Sequence, residues 1–228
     1  WYKNKGLKID PLEVPEDEKP IDAPTWDEYY KDDEFIFGTE PNYFLKMEGT
    51  TYLNIPKGSK ILLLGAGEGR NAVYMASLGY DVTAVDQSKV ACDKAEQLAK
   101  EKGVEITTVC EDLNDFQMGI AAWDCIVAIF CHMDPYTRDK VFRLIPSALK
   151  KGGYVIMEGY DIKQRGFKTG GPEKAPLMWS KQMLEGYFKE KLRIVRSKDH
   201  YVNLDEGKHH QGKSAVVDFV AHKSALAQ

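Results

Sequence analysis

The chain has 228 residues, 43% of them hydrophobic and 29% charged, with a formal net charge of -4. That is enough apolar material for one sizeable core. The cations are scattered rather than gathered into a basic stripe, which argues against a nucleic-acid partner, and no apolar run approaches the roughly 20 residues that span a bilayer.

In chain order, residues 1–24 include PLEVPEDEKPIDAP, too polar and proline-rich to bury, and are expected to form an extended polar arm. A single domain is expected over 25–228. It opens with dense aromatics (Trp26, Tyr29, Tyr30, Phe35, Phe37, Tyr43, Phe44) that must pack on the core or on a ligand. From residue 60 onward strand and helix signals alternate: strands at 61–64, 81–85, 105–109, 124–130 and 154–157, and helices at 71–78, after Ser88, at 135–150 and at 180–188. Strands at 193–196 and 214–220 follow each other with a long loop and no helix between, so they are expected to be antiparallel at one edge. All-apolar strands alternating with helices predict an α/β fold, a doubly wound, mostly parallel, Rossmann-like seven-stranded sheet with an antiparallel edge strand. The four cysteines, Cys92, Cys110, Cys125 and Cys131, form no CxxC pair and are expected to be buried free thiols of a reducing, cytoplasmic compartment.

The chemistry begins at 61–70, ILLLGAGEGR. Gly65, Gly67 and Gly69 let the backbone turn sharply and approach a ligand, and the following helix presents its positive end to an anionic group. A dinucleotide fingerprint would need a glycine where Arg70 stands, which disfavours nicotinamide and flavin cofactors. Asp86 ends the second strand in VTAVD, with Gln87 beside it, where a carboxylate accepts from both ribose hydroxyls. Asp112 follows the third strand in TVCEDL and is placed to accept from an exocyclic adenine amine, with Leu113 and the fourth-strand end at Phe130 as walls for the ring.

These stretches, with LKKGGYVIM at the fifth strand, resemble the class I S-adenosyl-L-methionine (SAM) methyltransferases. WDEYY, FGTEPNYFL, TGGP and EGKHHQGKSAVVDFVAHK are similar to the tellurite-resistance and thiopurine methyltransferase group. One departure is Leu64, at a position often acidic in that family. The resemblance implies SAM as cofactor and methyl transfer to a small-molecule acceptor, a reaction that depends on alignment more than on acid or base. It implies that the three glycines lie near the methionine part, with Asp86 at the ribose and Asp112 at the adenine. Arg70 would pair with the methionine carboxylate, and Trp26, Tyr30 and Phe37 would form a lid or pack the aromatic segment. His132, at the end of the fourth strand, is a candidate to orient the acceptor or act as a base, against a purely structural role. His210 is a candidate only through the resemblance. No metal is expected: Glu158 and Asp161 with Asp134 are a minor alternative, and a thiol or other chalcogen needs little base. A non-catalytic SAM-binding module and a nicotinamide-dependent oxidoreductase are the competing readings. The chain is expected to act as a monomer or homodimer, without membrane or nucleic acid.

Overall fold

The computed structural model describes residues 25–167 and 169–225; the expected arm over 1–24 lies outside them. Seven strands form one sheet: β1 (Lys60–Leu64), β2 (Asp81–Asp86), β3 (Thr107–Cys110), β4 (Trp123–Ile129), β5 (Leu149–Tyr160), β6 (Arg193–Asp205) and β7 (Gln211–His222), in the order β3-β2-β1-β4-β5-β7-β6. The first five pair in parallel, and β7 runs antiparallel to both β5 and β6. The seven-stranded, mostly parallel sheet read from the sequence is therefore the observed one.

The period-2 geometry of β1 explains its unbroken apolar run. Leu62 and Leu64 point into a core cluster with Phe142, Phe188 and Phe219, while Ile61 and Leu63 point into another with Leu45, Ala72 and Met75. The first face is covered by α5 (Pro135–Ala148) and α6 (Lys181–Phe188), the second by α2 (Tyr43–Met47) and α3 (Arg70–Ser77). Local chemistry sets the helix ends. Ser88 accepts from Ala91 N at the start of α4 (Lys89–Lys102), and Gly103 closes it in the left-handed conformation. Asp134 caps α5, which begins with Pro135.

Two expectations need correcting. Cys110 is exposed, whereas Cys92, Cys125 and Cys131 are buried; all four are free. The strand expected at 193–196 is the 13-residue β6, and no long loop precedes β7. The two strands pair from Arg193–His222 to Asp205–Gln211, leaving only 206–210 as the connection. The signal in β6 was weak because it is an edge strand whose residues alternate between exposed and half-buried, so its mean hydropathy is low.

This hairpin matters for the site. Since β7 reverses direction and β6 reverses it again, β6 ends at the same edge as the carboxyl ends of the parallel strands. Glu206, His209 and His210 are thereby brought over the crossover between β1 and β4, where ligands bind in open α/β sheets.

Candidate cofactor and acceptor site

The loop from β1 to α3 has positive φ at Gly65 (59°), Gly67 (52°) and Gly69 (86°). Close packing adds to the conformational demand: a Cβ at Gly65 would lie 2.6 Å from Cys131 Sγ, and one at Gly69 would lie 2.5 Å from Ala95 Cβ. Two of the three glycines are thus required by the protein itself, before any ligand is considered. Asp86 locks the loop, one carboxylate oxygen accepting from Gly67 N at 2.8 Å and the other from Ser88 N at 3.0 Å. Burial raises its pKa, and these backbone donors oppose the rise. Asp112 accepts from Asn114 N at 2.7 Å, turning the chain after β3. Each carboxylate has further lone pairs to offer.

Two adjoining recesses open over these groups. The smaller, about 260 Å³, is lined by Asp86, Gln87, Asp112 and Leu113. The larger, about 540 Å³, is lined by Gly67, Arg70, Phe37, Tyr160 and His210. Trp26, Tyr30, Gly65, Phe130 and His132 border both. A hydrogen-bonding carboxylate at the floor, a second at the outer end and an apolar wall between them suit an adenosine; the larger recess continues beyond it.

Phe130 stands at the junction with φ of 51°, a left-handed conformation costly for a residue with a Cβ. Its N–H donates to Glu158 O at 2.7 Å and its carbonyl accepts from His132 N at 3.0 Å, which hold the turn. α1 (Trp26–Tyr30) closes one side. Its capping box joins Thr25 and Glu28, and Asp27 accepts from Ser88 Oγ at 2.6 Å at the start of α4. Tyr30 is buried, and a Cβ on Gly67 would stand 3.0 Å from its hydroxyl, while Trp26 stays 45% exposed.

The ring of His132 is bonded at both nitrogens. Nδ1 donates to Leu177 O (3.0 Å) and Nε2 accepts from Tyr160 N (3.1 Å), the tautomer these partners require. Burial lowers its pKa to about 4, against the pull of the Leu177 carbonyl. His210 is buried against Phe130 and Phe37, with centroids 4.4 and 4.5 Å away, and burial together with Arg70 lowers its pKa to about 3. Arg70 bonds Glu206 at 2.6 Å and the Glu40 carbonyl at 3.2 Å.

Residues 61–153, from β1 into β5, match the methyltransferase domain family. Over 81 residues the chain is 32% identical to a protein described as a probable S-adenosyl-L-methionine-dependent methyltransferase TehB from Haemophilus influenzae (strain ATCC 51907 / DSM 11121 / KW20 / Rd), a match covering 32% of this chain and 28% of that relative's length. The crystal structure of TehB from Haemophilus influenzae shares the fold, with a TM-score of 0.61, 21% identity, and coverage of 80% of this chain and 66% of the other. So does a structure from work on the conversion of a disulfide bond into a thioacetal group during echinomycin biosynthesis, with a TM-score of 0.67, 16% identity, and coverage of 89% and 92%.

Over residues 61–153 the chain is similar to SAM-dependent methyltransferases, and its sheet has their fold.

Every described residue expected at the site borders one or both recesses, except Gly69, which packs against Ala95. The structure narrows two expected roles. A base at His132 has no free lone pair. Arg70 already has a buried carboxylate partner, so a cofactor carboxylate would have to share its guanidinium. Leu64, in place of an acid, is buried in the core. Among the described residues no cluster of three His, Cys, Asp or Glu side chains is arranged to hold a metal. Glu158 instead accepts from Asn42 Nδ2 at 2.6 Å.

Sequence reasoning passed over Tyr160, Asn42 and Glu206. Glu206 accepts from Asn42 Nδ2 (3.0 Å), Tyr43 N (2.9 Å) and Arg70, tying the hairpin tip to α2 and α3. No local motif marks these residues; the one available signal was that PN before an apolar run is a helix cap.

Proposed function

We propose that this chain transfers the methyl group of SAM to a small-molecule nucleophile whose reacting atom is the sulfur of a thiol or another chalcogen. When bound, SAM supplies an electrophilic methyl on a sulfonium. The residues of this chain do the rest by positioning. Asp86 holds the ribose, with Gln87 at its side; Asp112 and Leu113 hold the adenine; the turn at Gly65 and Gly67 faces the methionine part. Trp26, Tyr30 and Phe37 exclude water, which would solvate the nucleophile and compete with it.

The observation that carries the reading is the second recess, continuous with the adenosine recess and without a usable base among the described residues. His132 is doubly bonded and titrates near 4, His210 near 3, and burial pushes the Tyr160 and Tyr30 hydroxyls up. A phenol or alcohol would ask for a proton acceptor, whereas a chalcogen is nucleophilic without one. In the displacement the methyl–sulfonium bond breaks as the methyl–acceptor bond forms, and a thiol proton leaves to solvent. The free thiols at Cys92, Cys110, Cys125 and Cys131 support a reducing, cytoplasmic setting.

Calorimetry with SAM and S-adenosylhomocysteine tests the cofactor. Both should bind, and Asp86→Ala should weaken both by about tenfold or more, the equivalent of losing charge-assisted hydrogen bonds. No binding by the parent chain would sink the proposal. Assays across thiols, amines and phenols then test catalysis, and SAM binding with no turnover anywhere would leave a non-catalytic module.

A further inference from the structure

Cys92 and Cys110 flank the backbone segment that carries Asp86. The Asp86 carbonyl accepts from Glu111 N at 3.0 Å and from the Cys92 thiol at 3.7 Å, so one oxygen touches both Cys92 and the residue after Cys110. The next carbonyl, that of Gln87, accepts from the Cys110 thiol at 3.6 Å. Chain geometry fixes this meeting. Cys110 is the register partner of Asp86 between β3 and β2, and Cys92 lies in the first turn of α4, its N–H donating to Ser88 O at 3.0 Å. Burial pushes the Cys92 thiol up to about 12, and the neighbouring Cys110 thiol adds to the rise. Two thiols from separate elements are thus placed together against Asp86 and Gln87, residues that line the smaller recess.

The two differ in access: Cys110 is exposed and Cys92 is buried. The other two cysteines, Cys125 and Cys131, are also buried, with thiols pushed up by burial. A small oxidant therefore meets Cys110 first, and the sulfur beside the oxidised product is that of Cys92. An accessible thiol with a second thiol poised next to it is the arrangement of a reversible oxidation site.

Resting on the methyltransferase reading above for its effect on the cofactor, we propose that Cys110 and Cys92 form a redox-sensitive dithiol, which a hydroperoxide oxidises to a disulfide that lowers affinity for the cofactor. The Cys110 sulfur attacks the peroxide: an S–O bond forms, the O–O bond breaks, and Cys110 becomes a sulfenic acid as the peroxide leaves as an alcohol or water. The Cys92 sulfur then attacks that of Cys110. The S–S bond forms, the S–O bond breaks, and the departing hydroxide takes the Cys92 proton to leave as water. Two thiols have then given two electrons to one peroxide. Because burial keeps Cys92 in its thiol form, closure is the slower step. To reach a bond length of about 2 Å, the sulfurs must turn from the Asp86 and Gln87 carbonyls. That short segment also aims the Asp86 carboxylate at Gly67 N and Ser88 N, so its displacement is passed to the recess. In a reducing compartment thiols reopen the bond, as befits a transient, regulatory disulfide.

The test treats the reduced chain with a stoichiometric amount of hydrogen peroxide. Peptide mass spectrometry should find Cys92 linked to Cys110, the pair two hydrogens lighter than the separate peptides, with Cys125 and Cys131 unmodified. By calorimetry the oxidised chain should bind S-adenosylhomocysteine about tenfold more weakly than the reduced one, and dithiothreitol should reverse both changes. Cys110→Ser should bind like the reduced parent before and after peroxide. Cys92→Ala should stop at a sulfenic acid on Cys110, trapped as its dimedone adduct. Absence of the link, a link that leaves affinity unchanged, or the same loss of affinity in peroxide-treated Cys110→Ser would overturn the inference. If the reduced parent fails to bind S-adenosylhomocysteine, the methyltransferase reading falls instead, while the mass of the oxidised chain still decides whether the disulfide forms.

Discussion

Arg70 shows how a side chain's role depends on what reaches it. As a residue after a glycine loop it is a cation free to meet an anion. In the fold, its guanidinium and Glu206 are both almost fully buried and 2.6 Å apart. Two buried charges compensate each other, and removing one leaves the other desolvated and alone. Arg70→Met or Glu206→Gln should each destabilise the protein by about 3–5 kcal/mol, while the double variant should recover part of the loss. Urea denaturation of the three variants checks this; additive losses would show that the two residues do not act as a pair. His132 makes the same point without charge, since its two ring nitrogens join the Leu177 carbonyl to the Tyr160 amide and orient β5 at the cavity floor.

At the scale of elements, α1 is too short to be stable alone. Its position comes from its capping box and from Asp27, which accepts from Ser88 Oγ and from Val90 N at 3.3 Å. The Ser88 hydrogen bond lowers the Asp27 pKa, with the Val90 amide adding to the effect. Asp27→Ala should therefore loosen α1 with little change in melting temperature, because the core lies elsewhere. It should weaken S-adenosylhomocysteine binding several-fold, chiefly through faster dissociation, since Trp26 and Tyr30 border the recess proposed to hold the adenosine. Stopped-flow dissociation kinetics measures this, and an unchanged off-rate would mean that α1 packs on the core without gating the site. The long β6–β7 hairpin is the other element that shapes the cavity, because it carries Glu206 and His210 to the rim.

Across the whole molecule, a buried polar network joins segments that the core alone would not align. Asn42 bridges Glu158 and Glu206, and Asn71 accepts from Asn42 N at 2.8 Å. Asp218 accepts from Arg196 at 2.6 Å and from His200 at 2.9 Å. Burial and the neighbouring Asp218 push Glu158 well above the usual carboxylate range. Burial works against Asp218 too, but its bonds from His200 and Arg196 prevail and hold it low. A proton held on Glu158 would supply the donor that Asp218 Oδ1 lacks among the described residues. Between the ordinary carboxylate pKa and the raised value, the folded state binds more protons than the unfolded one, so this group's contribution to stability falls as pH rises through that window. Glu158→Gln keeps an acceptor for Asn42 and offers Asp218 a permanent donor. It should be relatively more stable than the parent as pH is raised above the ordinary carboxylate range; parallel stability–pH curves would refute the shared proton.

What could be read from the sequence was local in origin. Strand alternation, helix starts such as Ser88 and Pro135, the glycine turn and the acids at the ends of β2 and β3 arise from interactions within a few residues, so their spacing carried the fold and the lining of the smaller recess. The rest depended on partners far apart in the chain. Arg70 and Glu206 are 136 residues apart, and Asn42 and Glu206 are 164. Ring nitrogens become satisfied or orphaned, and charges paired or free, only when the sheet order brings such segments together, because hydrogen bonds and ion pairs act over a few ångströms of space whatever the distance along the chain. The sequence by itself therefore determined the doubly wound sheet and where its ligand edge lies, and the tertiary structure alone decided that His132 is occupied, that Arg70 is neutralised and that His210 is buried against Phe37 and Phe130.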